Sequence, residues 1–253
     1  MSFFRTLGTP RQAMPREERR TLGIDGRDVP VTIRANPRAR RLTLRLEPGG
    51  RGLRLTVPPR VRRGDVDAFL ERHAEWARAR LSAIPSLVRV VPGATVPVLG
   101  EPHVVEHTGK LRGATARVAG EDGSQRILVS GDPAGTGRRV ADHLKRLARD
   151  AIEPAAARHA AAVGREPKRV RLKDTRSRWG SCTHDGTLAF SWRLAMAPPH
   201  VLDYLVAHEC AHLRHMNHGS AFWALCRELH PGTDEAKAWL KAEGQALHAY
   251  EFG

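Results

Sequence analysis

Two histidines and a glutamate lie within five consecutive residues, His208-Glu209-Cys210-Ala211-His212. If this segment is helical, His208 and His212 lie on one face, roughly 6 Å apart along the axis, so both rings can bind one ion. Glu209 lies about 100° around the helix. There its carboxylate is poorly placed as a ligand, but it can accept a proton from a water molecule held by the metal. The spacing therefore predicts a catalytic zinc site.

The residues before this motif predict a buried helix. Six of them are apolar or aromatic: Val201, Leu202, Tyr204, Leu205, Val206 and Ala207. A helix that is apolar on nearly all sides belongs in a core. Burying two unpaired imidazoles and a carboxylate there would cost several kcal/mol, and a bound zinc ion would more than offset that cost. A metal-free core helix is therefore the weaker interpretation.

A third ligand must come from chain that leaves the helix and turns back. On a continued helix His215 would lie about 10.5 Å beyond His208 along the axis, out of reach of the same ion. The segment Asn217-His218-Gly219 contains residues that tolerate left-handed helix ends. We therefore predict His218 as the third ligand, and His215 as a solvated histidine in the last turn. Three later residues are the alternatives: Glu228, His230 and Glu235.

The sequence around the motif resembles a known family. The matching segments are Arg178-Trp179-Gly180-Ser181-Cys182, Ala189-Phe190-Ser191-Trp192, Asp203-Tyr204, the motif itself, Asn217-His218-Gly219 and Phe222-Trp223. They are similar to the YgjP-like metallopeptidase family, which is itself similar to the WLM and SprT-type zincins. The resemblance is strong over about residues 165–240 and looser over the Arg-rich region before them.

This resemblance implies a zincin fold with His208, His212 and His218 as zinc ligands and Glu209 as the catalytic acid/base. The spacing to His218 equals that of metzincins. However, metzincins have glycine where this chain has His215, and no methionine follows His218 to build a Met-turn.

Composition limits the class of protein. The 253 residues are 41% hydrophobic, which is enough for one large or two modest domains. A net charge of +15 requires that an acidic partner or a nucleic acid be considered. Cys182, Cys210 and Cys226 form no C-x-x-C pair, which favours free thiols in a reducing compartment. We find no apolar signal segment or membrane span, and predict a cytoplasmic protein.

The hydrophobic pattern predicts an α+β fold in two domains after a flexible leader, residues 1–19. Residues 20–132 alternate apolar and polar residues between turns, which predicts an antiparallel β-rich domain. It contains one amphipathic helix, for which Asp65 is the predicted N-cap. A Gly/Pro-rich linker, residues 131–137, leads to a compact zincin-like metallopeptidase unit, residues 138–253.

The predicted unit consists of a long helix, a short sheet, the motif helix and closing helices. The long helix covers residues 138–163, and Pro154 could kink or restart it. Two strands follow, residues 169–173 and 187–192, joined by a polar connection. Pro198-Pro199 is expected to begin the motif helix.

The leading interpretation of function is a zinc peptidase that acts on a protein or peptide, with Arg178 and Tyr204 lining the substrate-binding pocket. A metal-dependent phosphohydrolase or nucleotide hydrolase is an alternative, because Arg176 and Arg178 could clamp phosphates, but no P-loop is present. A nucleic-acid-binding protein with a structural zinc site is another, and would require a fourth ligand such as Cys182. A Cys182 nucleophile assisted by His184 is the weakest candidate.

The N-terminal region also predicts a polyanion-binding face. Ten arginines lie between Arg34 and Arg63, with Glu47 as the only acid among them. Arginines on one sheet face act together on phosphates, so Arg41, Arg45 and Arg54 are candidates for nucleic-acid binding. A solvated basic face with no ligand is the alternative.

Overall fold

The computed structural model describes residues 15–47, 50–82, 87–121, 123–175 and 178–253. The chain divides into two compact units, Met1–Pro85 and Ser86–Gly253. The predicted leader lies largely outside the described residues, and the first strand has already begun at Glu17.

The described residues of the first unit form a four-stranded sheet with two α-helices. Its elements are β1 (Glu17–Ile24), β2 (Arg27–Ala35), β3 (Thr43–Leu46), β4 (Leu53–Val57), α1 (Arg63–Arg72) and α2 (Ala74–Ser82). The strand order is β1-β2-β4-β3. In β4, Leu53, Leu55 and Val57 are buried and Arg54 is exposed, as strand alternation predicts. The buried residues share one core with Val66 of α1.

This sheet is mixed rather than purely antiparallel. Strands β2 and β4 run parallel, with Val31 opposite Leu53, whereas the other two pairs are antiparallel. Alternation identifies the buried face of a strand but not its direction, because both kinds of pairing have a period of two. The α+β class is confirmed.

The predicted single helix of this unit is two helices. His73 separates α1 from α2, and its ring nitrogen Nδ1 lies 2.8 Å from the Phe69 carbonyl oxygen. A side chain bound to the main chain competes with continuation of a helix. The N-cap is Arg62, which makes no side-chain cap, and Asp65 lies in the first turn instead.

The second unit begins with a four-stranded sheet, β6 (Thr95–Val98), β7 (Glu101–His107), β8 (Ala116–Ala119) and β9 (Gln125–Val129), in the order β6-β7-β9-β8. Strand β5 (Val88–Arg89) pairs with β13 (Tyr250–Glu251) near the C-terminus.

The rest of the second unit contains the motif. Its elements are α3 (Thr136–Val163), β10 (Arg169–Lys173), β11 (Gly180–Cys182), β12 (Thr187–Ser191), α4 (Pro199–Ala211), α5 (Ser220–Leu229) and α6 (Thr233–Ala242). Short 3₁₀ helices span Pro133–Gly135, Trp192–Met196 and Gly244–His248.

The boundary between the units therefore differs from the predicted one near residue 132. Val105 of β7 and Ile127 of β9 are buried in one core with Val140 and Leu144 of α3. The Gly/Pro-rich residues 131–137 contain a short 3₁₀ helix and the start of α3, and Gly131 donates a hydrogen bond to the Lys110 carbonyl inside the same unit. Composition marks turns, but only the shared core shows which elements fold together.

Helix α3 continues through Pro154 without ending. Proline removes one helical hydrogen bond, and Pro154 lies on the exposed face, where water can satisfy the freed carbonyl. Ile152 and Ala155 on the buried face hold both halves against the core. In the described part of the chain, no helix combines the length and the apolar character needed to cross a membrane.

Arg193 is a buried cation that ties the end of the chain to this core. Its Nε donates to the Asp174 carboxylate at 2.9 Å, and its Nη1 donates to the carbonyls of Leu247 and Tyr250, both at 3.1 Å. The guanidinium also lies 4.8 Å from the Trp192 ring centre. Each partner would lose its donor if the guanidinium were removed.

We expect Arg193→Met to lower the free energy of unfolding by about 3 kcal/mol, because the buried Leu247 carbonyl and the half-buried Tyr250 carbonyl lose their donor. Urea unfolding followed by circular dichroism measures the change. Arg149→Met is the control, since Arg149 makes an ion pair with Glu153 in which both side chains are 60% exposed, and such pairs add little. Equal midpoints for both variants would contradict this role of Arg193.

Candidate metal centre

The motif lies at the end of the buried helix α4. Pro199 occupies the first turn, where its missing N–H costs no hydrogen bond, and the apolar residues before the motif are buried. The helix ends at Ala211, and His212 keeps helical dihedral angles as the C-cap. The His208 and His212 rings are therefore one turn apart, with 5.0 Å between their centres.

The chain after His212 folds back and brings a third histidine to this pair. Two turns hold the return, with Leu213 N–H donating to Cys210 and His215 N–H donating to Ala211. Nε2 of His218 lies 3.2 Å from Nε2 of His208. One ring nitrogen from each of His208, His212 and His218 lies within 4.8 Å of the others.

The turn that brings His218 to the cluster is not the left-handed helix end predicted from Asn217 and Gly219. Gly219 has φ −80° and ψ −176°, which is extended backbone, and Asn217 is not left-handed either. The chain is reversed by consecutive tight turns, and not by a left-handed residue at the helix end. The alternative third ligands do not belong to the histidine cluster of the described residues; they are Glu228, His230 and Glu235. His230 lies 4.0 Å from the Asp203 carboxylate.

The Nδ1 atoms of His208 and His212 have partners that fix the orientation of the two rings. His212 Nδ1 lies 3.0 Å from the His215 carbonyl oxygen, so the main chain of His215 orients the ring. His208 Nδ1 lies 3.5 Å from the Tyr204 hydroxyl. These contacts leave Nε2 of both rings for an ion. Tyr204 is only 4% exposed and lies behind His208, a position that favours holding the ring over the predicted contact with substrate.

An aromatic side chain packs against all three histidines. Phe222 of α5 is fully buried, and its ring centre lies 4.9, 4.4 and 4.7 Å from those of His208, His212 and His218. In the sequence Phe222 was only part of a resemblance, and its role was missed. It supplies an apolar base that limits movement of the rings.

The environment keeps the imidazoles of His208 and His212 neutral. Burial lowers the pKa of His208 to about 3, with further lowering from His212, His218 and Lys237. Burial also lowers the pKa of His212. A neutral ring keeps the lone pair that a metal ion requires.

The cluster fits a zinc ion. Two nitrogen ligands of a tetrahedral zinc, each about 2.0–2.1 Å from it, lie roughly 3.3 Å apart. The His208 and His218 nitrogens are 3.2 Å apart. Imidazole donors suit zinc, and three protein ligands leave a fourth position open, as in catalytic sites.

Glu209 is held beside this cluster by strand β11. It is 4% exposed, and the Cys182 main-chain N–H donates to its carboxylate. A Cβ added to Gly180 would lie 2.5 Å from Glu209 Oε1, so any larger residue there must displace the carboxylate. Burial raises the pKa of Glu209 to about 7, opposed by the positive charge of Arg178 and by the Cys182 hydrogen bond.

The structure also locates the remaining predicted residues. Arg178 acts on the Glu209 charge, whereas Arg176 lies outside the described residues. Cys182 is not in the histidine cluster, and its thiol lies 3.5 Å from the Thr183 carbonyl oxygen. Burial raises the pKa of Cys182 to about 11, which disfavours a thiolate nucleophile. All three cysteines are free.

The predicted nucleic-acid-binding arginines belong to the first unit. Arg45 of β3 lies opposite Arg54 of β4, and both are exposed, as is Arg41. Glu47 accepts hydrogen bonds from Arg54 Nε at 3.2 Å and Nη2 at 2.8 Å. The only acid of the segment therefore already neutralises one member of the pair.

The α+β fold and the helix-borne histidines have the organisation of a metallopeptidase domain. The model of the YgjP-like metallopeptidase domain matches residues 40–243. Because this match covers most of the chain, the protein belongs to the YgjP-like metallopeptidase family, and the predicted resemblance is confirmed. The match reaches well before residue 165, where the sequence resemblance was only loose. No curated protein and no solved structure gave a significant match.

Proposed function

We propose that the protein is a zinc-dependent peptidase in which His208, His212 and His218 hold the ion and Glu209 is the general base and acid. One observation carries the proposal. Three histidine ring nitrogens within 4.8 Å of one another lie beside a buried carboxylate that is outside the cluster. A structural site has no use for that carboxylate, whereas peptide hydrolysis requires a proton acceptor.

Zinc would supply Lewis acidity, polarising the scissile carbonyl and lowering the pKa of water. The chain supplies proton transfer. Glu209 accepts a proton from the attacking water and donates it to the leaving amine. Burial brings the pKa of this carboxyl to about 7, where it can do both, and the Cys182 N–H fixes its orientation.

Strand β11 is suited to present an extended peptide to Glu209. The short sheet has the order β10-β12-β11, so β11 pairs with β12 on one side and is an edge on the other. An extended peptide can add to such an edge through main-chain hydrogen bonds. Since Gly180 of this strand touches Glu209, a peptide paired there would pass close to the carboxylate.

The proposal is tested by removing and restoring the metal. We expect one zinc per purified chain by mass spectrometry, loss of hydrolysis of a fluorogenic peptide library after chelation, and recovery with one equivalent of zinc. Peptide hydrolysis that persists in the fully metal-free protein would contradict it. So would a zinc-loaded protein that cleaves phosphate esters but no peptide, which would favour the phosphohydrolase alternative.

Gly180→Ala should lower kcat at least about tenfold with zinc retained, because the new methyl group must displace the buried carboxylate. The added Cβ would lie 2.7 Å from Glu209 Cγ as well as 2.5 Å from Oε1. Steady-state kinetics and metal analysis provide the measurement. The control is Gly64→Ala, since a Cβ there meets no atom within 4 Å. Turnover equal to that of the parent would show that Glu209 does not need its present position.

Nucleic-acid binding by the first unit stays a separate prediction, motivated by the exposed Arg45 and Arg54 pair. Phosphate contacts give binding that falls steeply with salt. In fluorescence anisotropy with labelled DNA and RNA, reversing both residues to Glu should weaken binding about tenfold at low salt. If the parent does not bind at low salt, or the reversed variant binds equally, the role is absent.

A further inference from the structure

A lysine side chain is fixed beside the candidate metal centre. The Lys237 ammonium of α6 lies 4.2 Å from the centre of the Trp223 ring. That ring is stacked on His218, with 5.6 Å between centres, and lies 5.8 Å from His208. An ammonium over an indole face is attracted by the ring quadrupole. A positive charge is therefore positioned next to the histidines.

Within the described ranges this ammonium makes no direct ion pair, although the hydrogen bond from Arg227 and, to a lesser extent, the Lys237 charge lower the pKa of Asp234 on the same helix. The nearby acid Asp234 is engaged by Arg227, whose Nε and Nη2 donate to its two oxygens at 3.0 and 3.3 Å. Arg178, the other cation near the site, acts on Glu209. Lys237 is exposed, whereas Trp223 is half-buried. The available charge thus faces solvent from an apolar platform.

We propose that Lys237, held over Trp223, is a specificity residue that binds a carboxylate of the peptide substrate close to the scissile bond. This inference rests on the proposed peptidase function. The carboxylate can come from an acidic side chain or from the free C-terminus of the peptide. In either case the ammonium pairs with the negative charge of the ligand, and the Trp223 ring holds the ammonium in place.

The positions of the groups favour substrate recognition over a role in proton transfer. The Lys237 ammonium contacts the Trp223 ring, which in turn lies against His218 and His208, whereas Glu209 directly follows His208 on α4. The Lys237 charge is therefore placed to contact a substrate, while proton transfer is assigned to Glu209. Lys237 can select a peptide whose carboxylate lies one or two residues from the cleaved bond.

The test compares peptides that differ only in one carboxylate. One pair has Glu or Gln next to the cleaved bond, and a second pair has a free or an amidated C-terminus. We expect the parent to favour the acidic member of one pair by about fivefold in kcat/KM, the upper end for an exposed ion pair. Lys237→Met should remove this ratio and Lys237→Arg should keep it. Lys241→Met, a lysine one turn later on the same helix, should leave it unchanged.

Peptide binding, measured by anisotropy with zinc-loaded Glu209→Gln protein, separates the two proposals. Acid-selective binding that disappears in the Glu209→Gln/Lys237→Met double variant supports the carboxylate site, whether or not the parent cleaves peptides. If the parent cleaves none, only the peptidase proposal is removed. A parent that cleaves both members of each pair equally overturns the inference and leaves the peptidase intact. An equal fall in kcat/KM for acidic and neutral peptides in Lys237→Met also overturns the inference. The pair that shows the preference identifies the source of the carboxylate.

Discussion

Glu209→Gln is expected to lower kcat for peptide hydrolysis about a thousandfold while zinc stays bound. The amide has the size of the carboxylate and its oxygen can still accept the Cys182 N–H, but it cannot take up a proton. Because Glu209 is outside the histidine cluster, no ligand is lost. Single-turnover kinetics measure the chemical step, and mass spectrometry measures the metal.

Glu228→Gln is the matched control for this loss. Glu228 is an exposed acid of α5 that lies outside the histidine cluster, so its removal should leave kcat and zinc unchanged. Unchanged turnover in Glu209→Gln would eliminate the proposed mechanism. Loss of zinc together with turnover would instead indicate that the carboxylate contributes to binding of the ion.

His218→Ala is expected to weaken zinc binding more than about a hundredfold. Removing a residue that only supports a metal ligand costs up to about a hundredfold, and removing a ligand itself should cost more. His218 is exposed in the turn before α5, so the core stays intact and the variant should fold. Zinc affinity is measured by competition with a chromophoric chelator, and folding by circular dichroism. Peptide hydrolysis should fall with zinc occupancy.

The neighbouring histidine provides a sharp control. His215 contributes to the site through its main-chain carbonyl, which His215→Ala retains, so this variant should bind zinc as tightly as the parent. If His218→Ala keeps the parental affinity while Glu228→Ala loses it, the third ligand has been assigned to the wrong residue.

Much of the centre follows from local sequence. The spacing of His208 and His212 sets their distance, because the α-helix has a fixed period. The apolar residues before them require burial, and α4 is buried. The same period excludes His215 and requires the chain to return, so His218 could be predicted although the form of its turn could not. The family and the α+β class could also be identified from the sequence.

Only the tertiary structure decided what surrounds these residues. Gly180 and the Cys182 N–H reach Glu209 from β11, Phe222 packs against the three rings from α5, and Lys237 approaches Trp223 from α6. The sequence also did not predict that β2 pairs with β4 in parallel or that β7, β9 and α3 share one core. Periodicity fixes positions within one element, because backbone geometry repeats along it. Contacts between elements depend on how their side chains pack, and that packing is settled jointly by residues far apart in the chain.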